Sequence, residues 1–392
     1  MLLNSHNVFD YLSNLADQDS KANLNFCNSL DKNHSKVEPL AAKNFNLLVT
    51  FPDNCKLLVK QERHNLEGKA AGEFKSEYRI QKWLRQFPEQ QSLSPFLPEL
   101  IHFDAENSII IFRYLDNYRD LMDFYTKENS FPNKISRAIG TLLATIHGDT
   151  YEQEKHRQFF EIQEHTQVAD QVPKLIRGLK RITPEIFGSV PADGLKFFAL
   201  YQKYDSLGQA IAELGKSFTP SCLTHNDLKL NNILLHTDWL QTNDSIIRLI
   251  DWERNSWGDP AFDLGTLVGS YIQIWLVSLI ISKSLSIEES LSLAVTPIEK
   301  LQPSIAALTK AYLETFPEIL EHRPDFLIRV VQFAGFALIQ RIQAMIQYQK
   351  SFDNTGIAML QVAKALLCRP ERSMPTVFGK DIVEIVQICT AT

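Results

Sequence analysis

The sequence predicts an α+β protein in two lobes, a small one rich in strands followed by a large, mainly helical one. Three observations predict it. Two apolar runs, Phe45 to Phe51 and Cys55 to Gln61, flank the turn formers Pro52-Asp53-Asn54 and read as a strand hairpin near the start. From Asp120 onward the apolar residues recur at helical spacing, as in Ala138, Leu142, Leu143 and Ile146. The length of 392 residues, with 44% hydrophobic and 22% charged, is ordinary globular composition and leaves room for two lobes and a sizeable core.

Taken in order, residues 1–36 hold a short amphipathic helix at 7–16, marked by Val8, Phe9, Leu12 and Leu15, and then a polar linker. The small lobe is assigned to residues 37–115. After the hairpin, Glu62 to Gly72 is charged and reads as a mobile loop. Glu73 to Phe87 is predicted as a helix with Phe74, Tyr78, Ile80, Trp83 and Leu84 on one face. Pro88, Pro95 and Pro98 then break the chain, and Leu100 to Phe103 and Ile109 to Tyr114 read as the last strands of this lobe. The large lobe, 116–392, opens with Asp120 to Lys127 and a helix from Lys134 to His147, whose terminal histidine reads as a satisfied helix-end residue. Residues 150–220 form a charged, helical insert punctuated by Pro173, Pro184 and Pro191. Three further helices are predicted at Ile287 to Leu301, Ile305 to Phe316 and Phe326 to Lys350.

Composition excludes several classes. The net charge is −6 with both signs mixed along the chain, so no basic stripe points to nucleic acid. The five cysteines, Cys27, Cys55, Cys222, Cys368 and Cys389, are scattered without a C-x-x-C pair. This predicts neither a zinc site nor a disulfide framework, and reduced thiols in a cytoplasmic protein. Met1-Leu2-Leu3 gives way at once to Asn, Ser and His, so no signal peptide is expected. The uncharged run Leu264 to Ile281 reads as a buried helix rather than a membrane span, because Gln273 sits in its middle and Asp263 directly precedes it.

One polar loop carries the chemistry. In Leu223 to Leu235, LTHNDLKLNNILL, apolar runs clamp a loop with the spacing H-x-D-x-x-x-x-N from His225 to Asn232. That is the spacing of a kinase catalytic loop. Phosphoryl transfer asks a protein mainly for alignment and charge neutralisation. Asp227 is placed to orient an acceptor hydroxyl and take its proton, and the Asn232 amide oxygen suits magnesium. Lys229 is placed to meet charge developing on the transferred group, and His225 to brace the loop. Read alone, the same residues also describe a surface turn of Asn and Asp. A second stretch, IIRLIDWERNSWGDPAFDLGTL, follows, with a strand from Ile246 to Ile250 delivering Asp251 at its end.

The order H-x-D-x-x-x-x-N, I-D-W-E and G-D-P-x-x-D-L-G resembles the aminoglycoside phosphotransferase and choline kinase superfamily, over residues 40–370 with strong motifs only between 222 and 266. The resemblance implies a two-lobed protein-kinase-like fold that uses ATP and magnesium. It implies that Asp251 is the second metal ligand, that Glu253 binds a metal-bound water, and that Asp263 hydrogen-bonds the catalytic loop as structural support. Lys60, in LLVKQE, matches the lysine that pairs with nucleotide phosphates. Glu77 is its implied partner, from the spacing to Trp83-Leu84, with Glu73 as the rival. Arg113, Tyr114 and Leu115 stand where the hinge meets the adenine. The chain departs from the pattern in one place. Lys43-Asn44-Phe45-Asn46 stands where a glycine-rich phosphate loop is expected, which predicts weakened nucleotide binding.

The acceptor is the open part. A polycation fits poorly, since the insert mixes both charges and the C-terminal helices carry Arg323, Arg329 and Arg341. One reading is a hydroxyl of a small molecule; KNFNLLV…LLVKQE resembles methylthioribose kinases. A second is Ser or Thr of a precursor peptide, with a separate lyase partner, because WGDPAFDLGTLVGSYIQIWL resembles phosphotransferase-like proteins of class V lanthipeptide and thioamitide pathways. A third is a non-catalytic binding protein, which the retained Lys60, Asp227, Asn232 and Asp251 argue against.

Overall fold

The computed structural model describes residues 2–18, 34–40, 43–64, 70–162, 191–242, 245–280, 285, 287–381, 383–385 and 387. The readings for Cys27, Cys389, Pro173, Pro184 and most of the 17–36 linker lie outside these residues. The chain divides into two compact units. The first is Met1–Arg119 with Leu234–Asn255, and the second is Asp120–Ile233 with Ser256–Thr392. Thus residues 234–255, which the sequence places in the large lobe, cluster with the small one.

The first unit is built on an antiparallel sheet of β1 (Lys36–Leu40), β2 (Phe45–Thr50), β3 (Lys56–Gln61), β4 (Leu100–Asp104) and β5 (Ile109–Arg113), ordered β1-β2-β3-β5-β4. Strand periodicity sorts its apolar residues onto two faces. Val49, Leu57, Val59, Ile109 and Ile111 form one core with Val8, Phe9 and Leu12 of helix α1 (Val8–Gln18). Leu58, Ile110 and Phe112 face the other way, against Phe74 and Tyr78 of helix α2 (Glu73–Gln86). The N-terminal helix is therefore a covering layer of the sheet. Strand β1 was not legible, since Pro39 and two charges interrupt its pattern. It lies at the sheet edge, where proline's missing N–H is tolerated.

Glu62 is not part of a mobile loop. It is 2% exposed, and its carboxylate accepts the amides of Gly72 (2.9 Å) and Phe74 at the start of α2. Gly72 has φ 82°, a conformation for which glycine is suited. The returning segment adds β8 (Ile233–His236) and β9 (Ile247–Leu249) to a second sheet with β6 (Tyr118–Asp120). Cys55 is disulfide-bonded, which departs from the expectation of reduced thiols.

The second unit is mainly helical. Its early helices are α3 (Leu121–Glu128), α4 (Asn133–Thr150), α5 (Glu154–Ile162), α6 (Ala192–Gln202) and α7 (Asp205–Lys216). The strand β7 (Cys222–Thr224) pairs antiparallel with β10 (Ser256–Gly258). The apolar run after Asp263 becomes α8 (Pro260–Val277), buried along nearly all its length. Gly265 lets it approach α12 (Phe326–Ala344), since a Cβ there would lie 2.5 Å from that of Phe333.

Two predicted helices are redrawn. The stretch Ile287 to Leu301 is broken after α9 (Ile287–Ser292), because Val295 and Thr296 hydrogen-bond Ser278 and Pro297 is extended. A single helix, α10 (Ile298–Thr315), then runs through Pro303, and α11 (Glu318–His322) follows. The helix expected from Phe326 to Lys350 passes at Met345–Gln349 into a π-helical turn and stops at Lys350, whose φ is 56°. Helices α13 (Asn354–Cys368) and α14 (Pro370–Phe378) follow. Among the described residues one helical stretch, Phe326–Gln349, is long and apolar enough to cross a membrane, and it is 67% buried.

Candidate active site

In the first unit, β3 carries Lys60 opposite Asn46 of β2 and Ile110 of β5. Its Nζ lies 2.6 Å from Asp251 Oδ1 and 3.7 Å from Glu77 Oε1. Asp251 follows β9 in the left-handed region, at φ 60° and ψ 54°. The next residue, Trp252, is buried and donates from its indole to the Leu249 carbonyl, which holds this tight turn. Glu73 points elsewhere and pairs with Lys43. Glu253, in the 3-10 turn that follows Asp251, lies 3.9 Å from the same Lys43.

This cluster is rich in carboxylate. Burial pushes the Glu77 carboxyl up to about 7, against the pull of Lys60 and with a further push from Asp251 and Glu253. Burial and then Glu73 likewise push Glu253 up to about 7. Burial would lower the Lys60 ammonium, but Glu77 and Asp251 outweigh it and hold it charged. Neither Glu77 oxygen has a hydrogen-bond donor among the described residues.

A buried clamp fixes α2 against this turn. Arg79 donates to the Asn255 carbonyl (2.7 Å) and side-chain oxygen (3.1 Å). The Asn255 amide in turn donates to the carbonyls of Ser76 (2.7 Å) and Trp252 (2.6 Å). Sequence reasoning missed Glu62, Arg79 and Asn255. Only Glu62 left a signal, two positions after Lys60 and so on the same strand face.

At the expected hinge, Arg113 is tied to Glu99 (2.8 Å), the Tyr114 amide donates to the Lys56 carbonyl (2.9 Å), and the Leu115 carbonyl accepts from Tyr118. These residues line a polar groove of 670 Å³ with Lys56, Asp116 and Arg248.

In the second unit, β7 delivers His225, Asn226 and Asp227. Asp263, fully buried in the first turn of α8, accepts the amides of His225 (2.6 Å) and Asn226 (2.8 Å). His147 lies behind it, 3.4 Å from Asp263 and 2.8 Å from the Tyr312 hydroxyl. Asn226 takes a left-handed φ of 61° and donates to Ser256 across the β7–β10 pair. Gly258 is required there, as a Cβ would fall 2.1 Å from Thr224 Oγ1. Asp227 emerges partly exposed, with Lys229 Nζ at 2.9 Å from Oδ2. Asn232 donates from its side-chain amide to the Asp227 carbonyl (2.8 Å), which leaves its side-chain oxygen as a neutral acceptor.

Each unit taken by itself offers an oxygen of the kind magnesium takes. Among the described residues no three His, Cys, Asp or Glu gather into a metal cage. Magnesium does not ask for one, since it takes one or two protein oxygens and fills its octahedron with water and phosphate. Asp251 is partly exposed, and Asn232 keeps an uncommitted amide oxygen.

The model of the phosphotransferase enzyme family (APH) matches residues 37–281, more than half of the chain. The chain belongs to that family. Among solved structures, the phosphotransferase is similar to a choline/ethanolamine kinase family protein from Mesorhizobium loti, at 15% identity over 95% of this chain and 99% of the other, with a TM-score of 0.45. It is similar to the ADP-bound aminoglycoside phosphotransferase APH(2'')-Ib, at 15% identity over 89% and 99%, with a TM-score of 0.43. It is also similar to amicoumacin kinase hAmiN in complex with AMP-PNP, Ca2+ and Ami, at 14% identity over 91% and 92%, with a TM-score of 0.48. No curated protein matches it. The phosphotransferase has a small unit built on an antiparallel sheet and a large, mainly helical unit.

Proposed function

We propose that the phosphotransferase uses ATP and magnesium to transfer the γ-phosphoryl group to a hydroxyl of a small molecule. The observation that carries this reading is the catalytic loop, where Asp263 holds the backbone of His225 and Asn226 and leaves Asp227 partly exposed beside Lys229. In this reading Asp227 orients the acceptor hydroxyl and receives its proton. Lys229, 2.9 Å away, offers a positive charge to the phosphoryl oxygens. Lys60, steadied by Glu77, holds nucleotide phosphate. Asn232 and Asp251 would hold magnesium, and Glu253 would accept from a water on it. Bound magnesium supplies charge neutralisation on the phosphates and a template for their alignment. Arg113, Tyr114 and Leu115 border the adenine.

The test is mass spectrometry of the chain incubated with ATP, magnesium and a panel of small alcohols, with a Ser/Thr-containing candidate peptide and a lyase in parallel. A phosphate mass gain on a small alcohol supports the reading. Phosphate on the peptide alone replaces it with the precursor-peptide reading. ATP left intact with every acceptor refutes both.

A further inference from the structure

The turn between β1 and β2 lacks the glycines of a phosphate loop, yet it is not without phosphate chemistry. Lys43 and Asn44 form a bend just before β2, whose Asn46 pairs with Leu40 of β1 and with Lys60 of β3. The turn therefore sits at the Lys60 end of β3, and it carries Lys43. The Lys43 side chain is 58% exposed, and its ammonium is held by Glu73 and, at 3.9 Å, by Glu253. Glu73 also accepts a long contact from Asn44 (3.5 Å), the next residue of the turn.

We propose that Lys43 is a second phosphate-binding cation of the nucleotide site, parked on Glu73 and Glu253 in the free protein and transferred to the nucleotide's phosphates on binding. Three observations carry this. Lys43 and Lys60 are held by one carboxylate cluster, Lys60 by Glu77 and Asp251, Lys43 by Glu73 and Glu253. Glu253 itself lies two residues from Asp251. The Lys43 pairing is the exposed one of the two, and an exposed ion pair contributes little, so releasing it costs little. A polyphosphate then offers the ammonium several charged acceptor oxygens in place of two carboxylates. A glycine loop grips phosphate through backbone amides; here a long, mobile side chain replaces that grip. The two glutamates also keep the uncomplexed lysine near its site, which limits the ordering cost of binding.

The inference rests on the reading of the chain as an ATP-dependent phosphotransferase, and its test separates the two. Equilibrium binding of ATP, ADP and adenosine to the full chain is measured by titration calorimetry for the parent, Lys43→Met and Lys43→Arg. ATP binding is expected to weaken about tenfold or more in Lys43→Met, as for loss of a charge-assisted hydrogen bond. ADP binding should weaken less, adenosine binding should stay within about twofold, and Lys43→Arg should restore most of the ATP affinity. Glu73→Gln, which releases the lysine, should leave ATP binding equal or tighter. If the parent binds ATP and Lys43→Met binds it equally well, the proposal is overturned and the proposed function stands. Equal losses for ATP and adenosine overturn it too, since they mark a structural role. A parent that binds no adenine nucleotide overturns both.

Discussion

Replacing Asp263 by Asn tests how the catalytic loop is held. The carboxylate is fully buried and each oxygen takes one amide, His225 at 2.6 Å and Asn226 at 2.8 Å. Asparagine is isosteric but offers one oxygen and one NH₂. Either orientation sets a donor against one of the two amides, so one charge-assisted bond is lost, the other becomes neutral, and a buried N–H is left unpaired. A hydrogen bond to a charged group is worth about 1.5–3 kcal/mol and an unpaired buried N–H costs about 1–3 kcal/mol. We expect Asp263→Asn to destabilise the second unit by about 3 kcal/mol. Equilibrium urea unfolding measures the loss, and amide hydrogen exchange locates it, since protection should fall first at His225 and Asn226. A cost below about 1 kcal/mol with exchange at those two amides unchanged would refute the reasoning.

Three further perturbations probe separate parts. Asn255→Ala removes both acceptors and donors of the α2 clamp other than its own carbonyl and should cost the first unit about 3 kcal/mol. Arg79→Met should cost clearly less in that background than in the parent, and additive losses in urea unfolding would argue against the clamp. Gly258→Ala forces a Cβ to within 2.1 Å of Thr224 Oγ1 and should destabilise the second unit by about 1–3 kcal/mol; a neutral melting temperature would count against that contact. Burial alone would raise the Asp104 carboxyl, but hydrogen bonds from Asn107 and Tyr11 outweigh it and hold it below the usual carboxylate range. A lowered folded value gives stability that is full above the unfolded value of about 3.9 and is lost as pH falls through the folded one. Asp104→Asn should therefore flatten the acid dependence of the urea midpoint below about pH 4; an unchanged acid dependence would show that Asp104 does not anchor α1.

Much of the candidate site was legible because its signals are local. His225 to Asn232 and Asp251 to Asp263 each fall in one short window, and their spacing carries the chemistry. Strands β2, β3 and β5 were legible from apolar alternation within a few positions of their ends. What escaped depends on distant partners. Arg79 and Asn255 stand 176 positions apart, so no window contains the clamp. The sequence places Lys43 only where a glycine-rich loop is expected, and its partners Glu73 and Glu253 show only in the fold. The membership of 234–255 in the first unit was not legible for the same reason, since those residues are contiguous in sequence with the catalytic loop but cluster with the sheet unit. The sequence divides the helices between Leu301 and Ile305, whereas α10 runs on through Pro303 and the interruption falls earlier, at Pro297.

The central claim is transfer of the γ-phosphoryl group of ATP to a hydroxyl with Asp227 as base. It is tested most directly by supplying ATP labelled in its γ-phosphate, with magnesium and the acceptor panel, to the parent chain and to Asp227→Asn. The account predicts label on a hydroxyl acceptor with the parent, matched by ADP, and a rate lower by about 10²–10⁴ in the variant, with the fold intact by circular dichroism. Transfer by Asp227→Asn within about tenfold of the parent, or no label leaving ATP with the parent on any acceptor, would contradict it.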